Sequence, residues 1–143
     1  MGVFAAEVRP RWSDMDPFGH VNHANTVTLL EEARVELLFV EASRLGARTM
    51  AGGMVVARLV VDYHVPLIAN GGGVLVEISV RTLKAASFTL DYVVHSGRSE
   101  SDAVVATAET LMVPYNLETG RPRRLVEAER DFLAGYRAGA GSA

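Results

Sequence analysis

The chain has 143 residues, of which 49% are apolar, so it can bury the core of one domain but is too short for two ordinary domains. Its formal net charge of −3 argues against a nucleic-acid-binding protein, and its lack of cysteine excludes disulfides, thiol catalysis and thiolate metal sites. Because the first residues do not resemble a secretory signal and no apolar run is long enough to span a membrane, we expect a cytoplasmic protein without nucleic-acid or membrane partners.

In chain order, the sequence first predicts a strand over residues 3–13 and a loop over residues 14–22. A long helix follows, capped by Asn22 or Asn25 and continuing to about Arg44. Apolar residues recur along it at helical spacing, which predicts one buried face made of Leu29, Leu30, Ala33, Leu37, Leu38 and Val40. The rest of the helix surface is charged, so we expect it to face water.

Four further strands come next. Residues 55–65 are rich in β-branched side chains, and residues 74–82 and 88–94 alternate between apolar and polar positions. Residues 104–115 are predicted to be the last long strand. We expect these strands to form an antiparallel meander. Residues 125–136 then have the pattern of a C-terminal helix.

These elements predict an α+β protein with a single domain at residues 1–137 and a disordered tail at residues 138–143. One helix covers only one face of a five-stranded sheet. The other face or an edge of the sheet needs a partner, and a second copy of the chain is the simplest one. We therefore expect a homodimer.

The loop before the helix has the strongest functional signal. Asp16 precedes Pro17, which keeps the backbone of Asp16 extended and directs its side chain away from the turn. Asp14 fits better as a turn residue whose carboxylate binds nearby backbone. The N-terminus of a helix that begins near Asn22 stabilises negative charge on an oxygen placed beside it. A carboxylate opposite that helix start can attack a carbonyl or activate a water, which suits acyl chemistry.

Other polar residues have plainer interpretations. His20 and His23 lie three residues apart, as metal ligands do, but no convincing third ligand accompanies them. We therefore expect no metal site, and two histidines that line a pocket or orient the loop. Arg81, Lys84 and Ser87 lie at the break between two strands, where such residues are usually solvated but could bind a nucleotide phosphate at a subunit edge.

The segment from Arg11 to Asn25, together with Glu31-Glu32-Ala33-Arg34, resembles the signature of hotdog-fold acyl-CoA thioesterases, and within them the 4-hydroxybenzoyl-CoA thioesterase-like family. The segments Asp62–Leu67 and Lys84–Ser87 resemble the same family more weakly. The resemblance implies a hotdog fold, in which a five-stranded antiparallel sheet wraps around one long central helix and a short C-terminal helix is added. It also implies homodimers that join edge to edge, active sites at their seam, and tetramers of such dimers.

For the site, the resemblance implies that Asp16 is the catalytic carboxylate, acting as nucleophile or general base. It implies that the backbone N–H of His23 donates to the thioester carbonyl. Coenzyme A would be bound at the surface by basic groups. The residues expected to bind the substrate are His20, Asn22, Tyr63, Arg81, Lys84 and Ser87.

The implied substrate is an acyl-CoA or acyl-carrier-protein thioester, with coenzyme A as part of the substrate and no separate cofactor. Two alternatives stay open. A non-catalytic acyl-CoA-binding or regulatory hotdog protein is disfavoured by the intact Asp16. An enoyl-CoA hydratase is disfavoured because those enzymes pair Asp and His across a longer interval with an Asn-Pro between them. Thr26 stands where many relatives have an aromatic residue, so the acyl preference is left open.

Overall fold

The computed structural model describes residues 2–138. Its main feature is one curled antiparallel sheet, whose strands follow the order β1-β3-β4-β5-β2. These strands are β1 (Phe4–Val8), β2 (Met54–Tyr63), β3 (Val74–Leu83), β4 (Phe88–His95) and β5 (Val104–Asn116), and a two-residue strand β6 (Arg121–Pro122) pairs with the end of β5. The predicted five-stranded sheet around a central helix is confirmed.

The central helix, residues 23–44, packs on the inner face of this sheet. It is α-helical over His23–Val35, π-helical over Glu36–Glu41 and α-helical again over Ala42–Arg44. Asn22 caps it, since its side-chain oxygen accepts the N–H of Ala24 at 2.9 Å. The predicted helix and one of its two predicted caps are therefore confirmed.

The buried face of the helix differs from the prediction at one residue. Leu29, Leu30, Ala33, Leu37 and Leu38 are buried as expected, but Val40 is 56% exposed. The π-helical segment is the reason, because it has more residues per turn than an α-helix. The next core position after Leu37 and Leu38 is therefore Ala42, which is completely buried.

The order of the strands in the sheet and the end of β1 differ from the prediction. β1 ends at Val8 rather than at residue 13, because Pro10 has no N–H for a ladder and a 3₁₀ turn follows at Trp12–Asp14. The predicted four-strand meander is wrong for β2, which pairs with β5 at the far edge instead of with β3. Most of its residues are exposed, and an edge strand tolerates that better than a central one.

The C-terminal helix, Glu127–Ala134, begins two residues later than predicted. Its buried Glu129 accepts both terminal nitrogens of the Arg123 guanidinium at 2.8 Å and the Thr49 hydroxyl at 2.9 Å. These bonds join the helix to the segment that precedes β2. Ala138 donates to the carbonyl of Val80 at 3.3 Å, and the rest of the predicted disordered tail, residues 139–143, lies outside the described residues.

We expect Arg123→Ala to lower the free energy of unfolding by about 3–5 kcal/mol, because it leaves the buried Glu129 carboxylate without its counter-ion. Arg124→Ala is the matched control, since Arg124 is exposed and its substitution should change stability by less than about 0.5 kcal/mol. Urea unfolding measures both variants. Equal stability of the two would contradict this role of the ion pair.

A buried histidine at the end of β4 predicts a pH dependence of stability. Burial lowers the pKa of His95, but hydrogen bonds from its ring nitrogens to the Asp102 carbonyl (3.0 Å) and the Glu77 carboxylate (2.6 Å) outweigh burial and raise it. The stabilisation is therefore complete below the unfolded pKa of 6.5 and is lost as pH rises through the folded pKa.

We expect the melting temperature of the unaltered chain to fall more between pH 6 and pH 9 than that of His95→Gln. These two pH values lie on either side of the ordinary histidine pKa of about 6.5. Thermal melts of both proteins in the same buffers measure the difference. Parallel curves would show that His95 contributes no such linkage.

Candidate active site

A pocket of about 420 Å³ opens where the loop after β1 meets the start of the central helix. The end of β2, the segment after it and the start of β5 form the opposite wall. The polar lining consists of Asp16, His20, Asn22, His23, Thr26, Tyr63 and His64, and the remaining lining consists of Phe18, Val21, Val65, Pro66, Leu67, Val105 and Ala106.

Asp14 fixes the loop rather than facing the pocket. Its buried carboxylate accepts the backbone N–H of Arg11 at 2.8 Å and two guanidinium nitrogens of the same residue. These hydrogen bonds from Arg11 lower the pKa of Asp14 in spite of its burial. Its carbonyl accepts the backbone N–H of Asn22 at 2.9 Å and the side-chain amide of Asn25 at 3.0 Å. Asp14 therefore has the structural role that its sequence position suggests.

Asp16 lies at the start of a tight turn and lines the pocket. The turn is closed by hydrogen bonds from the Asp16 N–H to the His20 carbonyl and from the Gly19 N–H to the Asp16 carbonyl, both 3.0 Å. Gly19 adopts a φ of +86°, a region that glycine occupies without strain. The expectation that the Asp16 side chain is directed away from the turn is wrong, because one of its carboxylate oxygens accepts the Phe18 N–H of the same turn at 3.0 Å. The other oxygen accepts the Asn22 amide at 3.2 Å.

The first turn of the central helix supplies a backbone donor beside this carboxylate. The Ala24 N–H is capped by the Asn22 side chain, and the Asn25 and Thr26 N–H groups bind the Asn22 carbonyl at 2.9 and 3.1 Å. Within residues 2–138 the His23 N–H has no acceptor. Among the described residues this donor is therefore unpaired, at the end of the helix where the dipole favours negative charge.

Tyr63 supports the helix start from the opposite wall. Its hydroxyl donates to the His23 carbonyl at 2.6 Å, and its ring lies edge-on to the His23 imidazole with the ring centroids 6.4 Å apart. Burial raises the pKa of this Tyr63 hydroxyl, which favours the protonated donor. The Val21 N–H donates to the Leu67 carbonyl at 2.6 Å. This bond joins the loop before the helix to the segment after β2.

The structure brings five of the eight predicted site residues together around the pocket, namely Asp16, His20, Asn22, His23 and Tyr63. The other three lie elsewhere. Arg81 forms ion pairs with Asp91 at 2.7 Å and with Glu109 on the outer face of the sheet. Its hydrogen bond to Asp91 raises the pKa of the Arg81 guanidinium.

Lys84 and Ser87 form the turn between β3 and β4, where the Lys84 N–H donates to the Ser87 carbonyl at 2.9 Å. This turn lies next to Phe88, which pairs with Met112, whereas the pocket is lined by Ala106 of the same strand. Six residues of extended strand separate the two points by about 20 Å. Lys84 and Ser87 therefore lie outside the pocket of their own chain, and their predicted contact with a nucleotide phosphate at a subunit edge stays a prediction.

The structure adds residues that the sequence analysis did not select. His64 lines the pocket, and its Nε2 atom lies 3.1 Å from the Thr107 hydroxyl. The apolar wall comes from Leu67 and from the start of β5 at Val105 and Ala106. The resemblance of the segment Asp62–Leu67 is the only sequence signal that points to this region.

The described residues were also compared with the requirements of a metal site and of a membrane-spanning helix. Within residues 2–138, no three side chains of His, Asp or Glu lie close enough together to hold a metal ion. No helix in the described part of the chain combines the length and the apolar character that crossing a membrane requires.

The sequence profile of the thioesterase-like superfamily matches residues 10–135, and no curated protein sequence matches the chain significantly. A protein of Bacillus stearothermophilus described as a predicted thioesterase is 25% identical, with a TM-score of 0.78 over 94% of this chain and 96% of its own. A thioesterase from Thermus thermophilus, solved with coenzyme A and Zn, is 30% identical, with a TM-score of 0.72 over 92% of both chains. A 1,4-dihydroxy-2-naphthoyl-CoA thioesterase from Synechocystis, 22% identical, shares the fold with a TM-score of 0.74 over 92% and 96%.

Proposed function

We propose that this chain, which belongs to the thioesterase-like superfamily, hydrolyses acyl-CoA thioesters to a free acid and coenzyme A with Asp16 as the reacting carboxylate. The family and the hotdog fold make the chain a thioesterase. One observation supports the specific role of Asp16. Asp16 and His23 line the same pocket, and the His23 N–H has no acceptor within residues 2–138, so a thioester bound there would lie beside both residues.

The helix start would stabilise the charge that develops during attack. When a nucleophile adds to a thioester, the carbonyl oxygen becomes an oxyanion. A preorganised N–H aimed at such an oxygen typically contributes about 2.7–4 kcal/mol to transition-state stabilisation. The helix dipole acts in the same direction. The His23 N–H is the donor that we assign to this task.

Asp16 can act by either of two routes. As a nucleophile, a carboxylate oxygen attacks the carbonyl carbon, the thiolate leaves, and water hydrolyses the resulting mixed anhydride. As a general base, Asp16 takes a proton from the water that attacks the carbonyl; the C–S bond then breaks, and the leaving thiolate takes up that proton. Both routes give the same acid and thiol.

The pocket wall suits an apolar acyl group near the reacting carbon. Val21, Leu67, Val105 and Ala106 line it beside the polar Thr26. We propose that His20 and Tyr63 contact the substrate at the polar side of the pocket. The pantetheine and nucleotide of coenzyme A extend out of it, and no separate cofactor takes part. An acyl-carrier-protein thioester would present the same reacting group.

An open sheet edge supports the proposal that the enzyme is a homodimer. β2 pairs with β5 on one side, and its other side has no strand partner among residues 2–138. Val55, Val56 and Leu59 are exposed on this strand, and a long apolar edge of this kind needs a cover. A second copy paired there would extend the sheet and place its own surface beside the pocket. We propose that Arg81, Lys84 and Ser87 of that copy contact the nucleotide, that two such dimers form a tetramer, and that the enzyme is cytoplasmic.

We expect Asp16→Asn to remove most turnover, roughly a thousandfold or more, because the amide is a poor nucleophile and base. Thiol release from aromatic, short-chain and long-chain acyl-CoAs measures the loss and ranks the acyl preference. Asp131→Asn, on the exposed face of the C-terminal helix, is the matched control and should keep full activity. Turnover of Asp16→Asn near that of the unaltered chain would reject the assigned role. Acyl-CoA binding without any thiol release would indicate a non-catalytic binding protein.

We expect light scattering after size exclusion to give the mass of a dimer or tetramer. Leu59→Lys should shift the mass toward a monomer, because a charge on an open strand edge disfavours pairing. The same variant should lose activity if the site is completed by a second copy. A stable monomer of the unaltered chain with full activity would contradict the shared-site proposal.

A further inference from the structure

We propose that Asn22 is a positioning residue, which holds Asp16 in its reactive orientation and joins it to the start of the central helix. This inference rests on the proposed function. The side-chain amide of Asn22 is engaged at both ends within the protein. Its Nδ2 donates to the Asp16 carboxylate at 3.2 Å, and its Oδ1 accepts the Ala24 N–H at 2.9 Å.

The backbone of Asn22 is fixed as firmly as its side chain. Its N–H donates to the Asp14 carbonyl at 2.9 Å, and its carbonyl accepts the N–H groups of Asn25 and Thr26. Asn22 therefore cannot shift without breaking the first helical turn or the anchor at Asp14. Such a residue is a rigid support for a neighbouring group.

The hydrogen bond from Asn22 determines how the Asp16 carboxylate is turned. The Phe18 N–H holds one carboxylate oxygen, and the Asn22 amide holds the other. The terminal torsion of an aspartate has a broad preference of its own, so a single bond would leave the plane of the carboxylate loosely defined. Two bonds fix it relative to the helix. Because His23 follows Asn22 directly, the same residue fixes the distance between the carboxylate and the unused N–H.

Two conservative substitutions separate positioning from helix capping. Serine and aspartate both cap helices about as well as asparagine, so Asn22→Ser and Asn22→Asp should keep the central helix. Neither has an amide N–H for Asp16. Asn22→Asp also places a second carboxylate beside Asp16, and two close carboxylates do not ionise independently.

The experiment measures kcat, KM and the pH profile of kcat/KM with one acyl-CoA for the unaltered chain, both Asn22 variants and Asp16→Asn. We expect Asn22→Ser to lower kcat roughly 10- to 100-fold, the range of a lost hydrogen bond to a charged group, with KM nearly unchanged. We expect Asn22→Asp to move the acid limb of the profile to higher pH. The other titratable side chains that line the pocket are present in every variant: His20, His23, Tyr63 and His64.

The outcomes distinguish this inference from the proposed function. If Asp16→Asn is inactive while both Asn22 variants keep the kcat and acid limb of the unaltered chain, Asn22 is not a positioning residue. A rise in KM with unchanged kcat would instead make Asn22 a substrate-binding residue and would also overturn the inference. Full activity of Asp16→Asn would reject Asp16 as the reacting carboxylate, the part of the proposed function on which this inference rests. If Asn22→Ser fails to fold, the kcat and acid limb of Asn22→Asp test the inference alone, because the aspartate keeps the helix cap.

Discussion

The junction between the loop at residues 14–22 and the central helix is the constraint on which the rest of the structure depends. Asp14 holds the loop to the helix through its carbonyl, and Asn22 closes the first turn with its side chain and carbonyl. A helix end needs such partners for its unpaired N–H groups. Among the described residues, every donor of this first turn is satisfied except that of His23. The same hydrogen bonds of Asp14 and Asn22 therefore hold both the start of the central helix and the loop that lines the pocket.

The fold also separates the two faces of the sheet. The inner face packs on the helix through buried residues of β3 and β4 such as Ile78, Leu90 and Tyr92, whereas Arg81 and Glu109 make the outer face charged. The curled sheet leaves its inner surface open near the end of β2, and the pocket forms there.

The sequence predicted local features well, because short-range physics determines them. The cap at Asn22 and the turn containing Asp16 follow from neighbouring residues, and the structure has both. Long-range pairing was harder to predict. The place of β2 beside β5 depends on residues about 50 positions apart, and the turn of Val40 toward solvent depends on a π-helical segment that no local pattern reveals. The contact between Tyr63 and the His23 carbonyl likewise joins residues 40 positions apart, so only the folded chain reveals it.

The most direct test of the account is a crystal structure of the Asp16→Asn variant with an intact acyl-CoA bound. The account predicts that the thioester oxygen lies within about 3 Å of the His23 N–H, a normal hydrogen-bond distance. It also predicts that the side chain at position 16 faces the carbonyl carbon. A thioester bound away from the helix start, with the His23 N–H bonded to water or to protein, would contradict it.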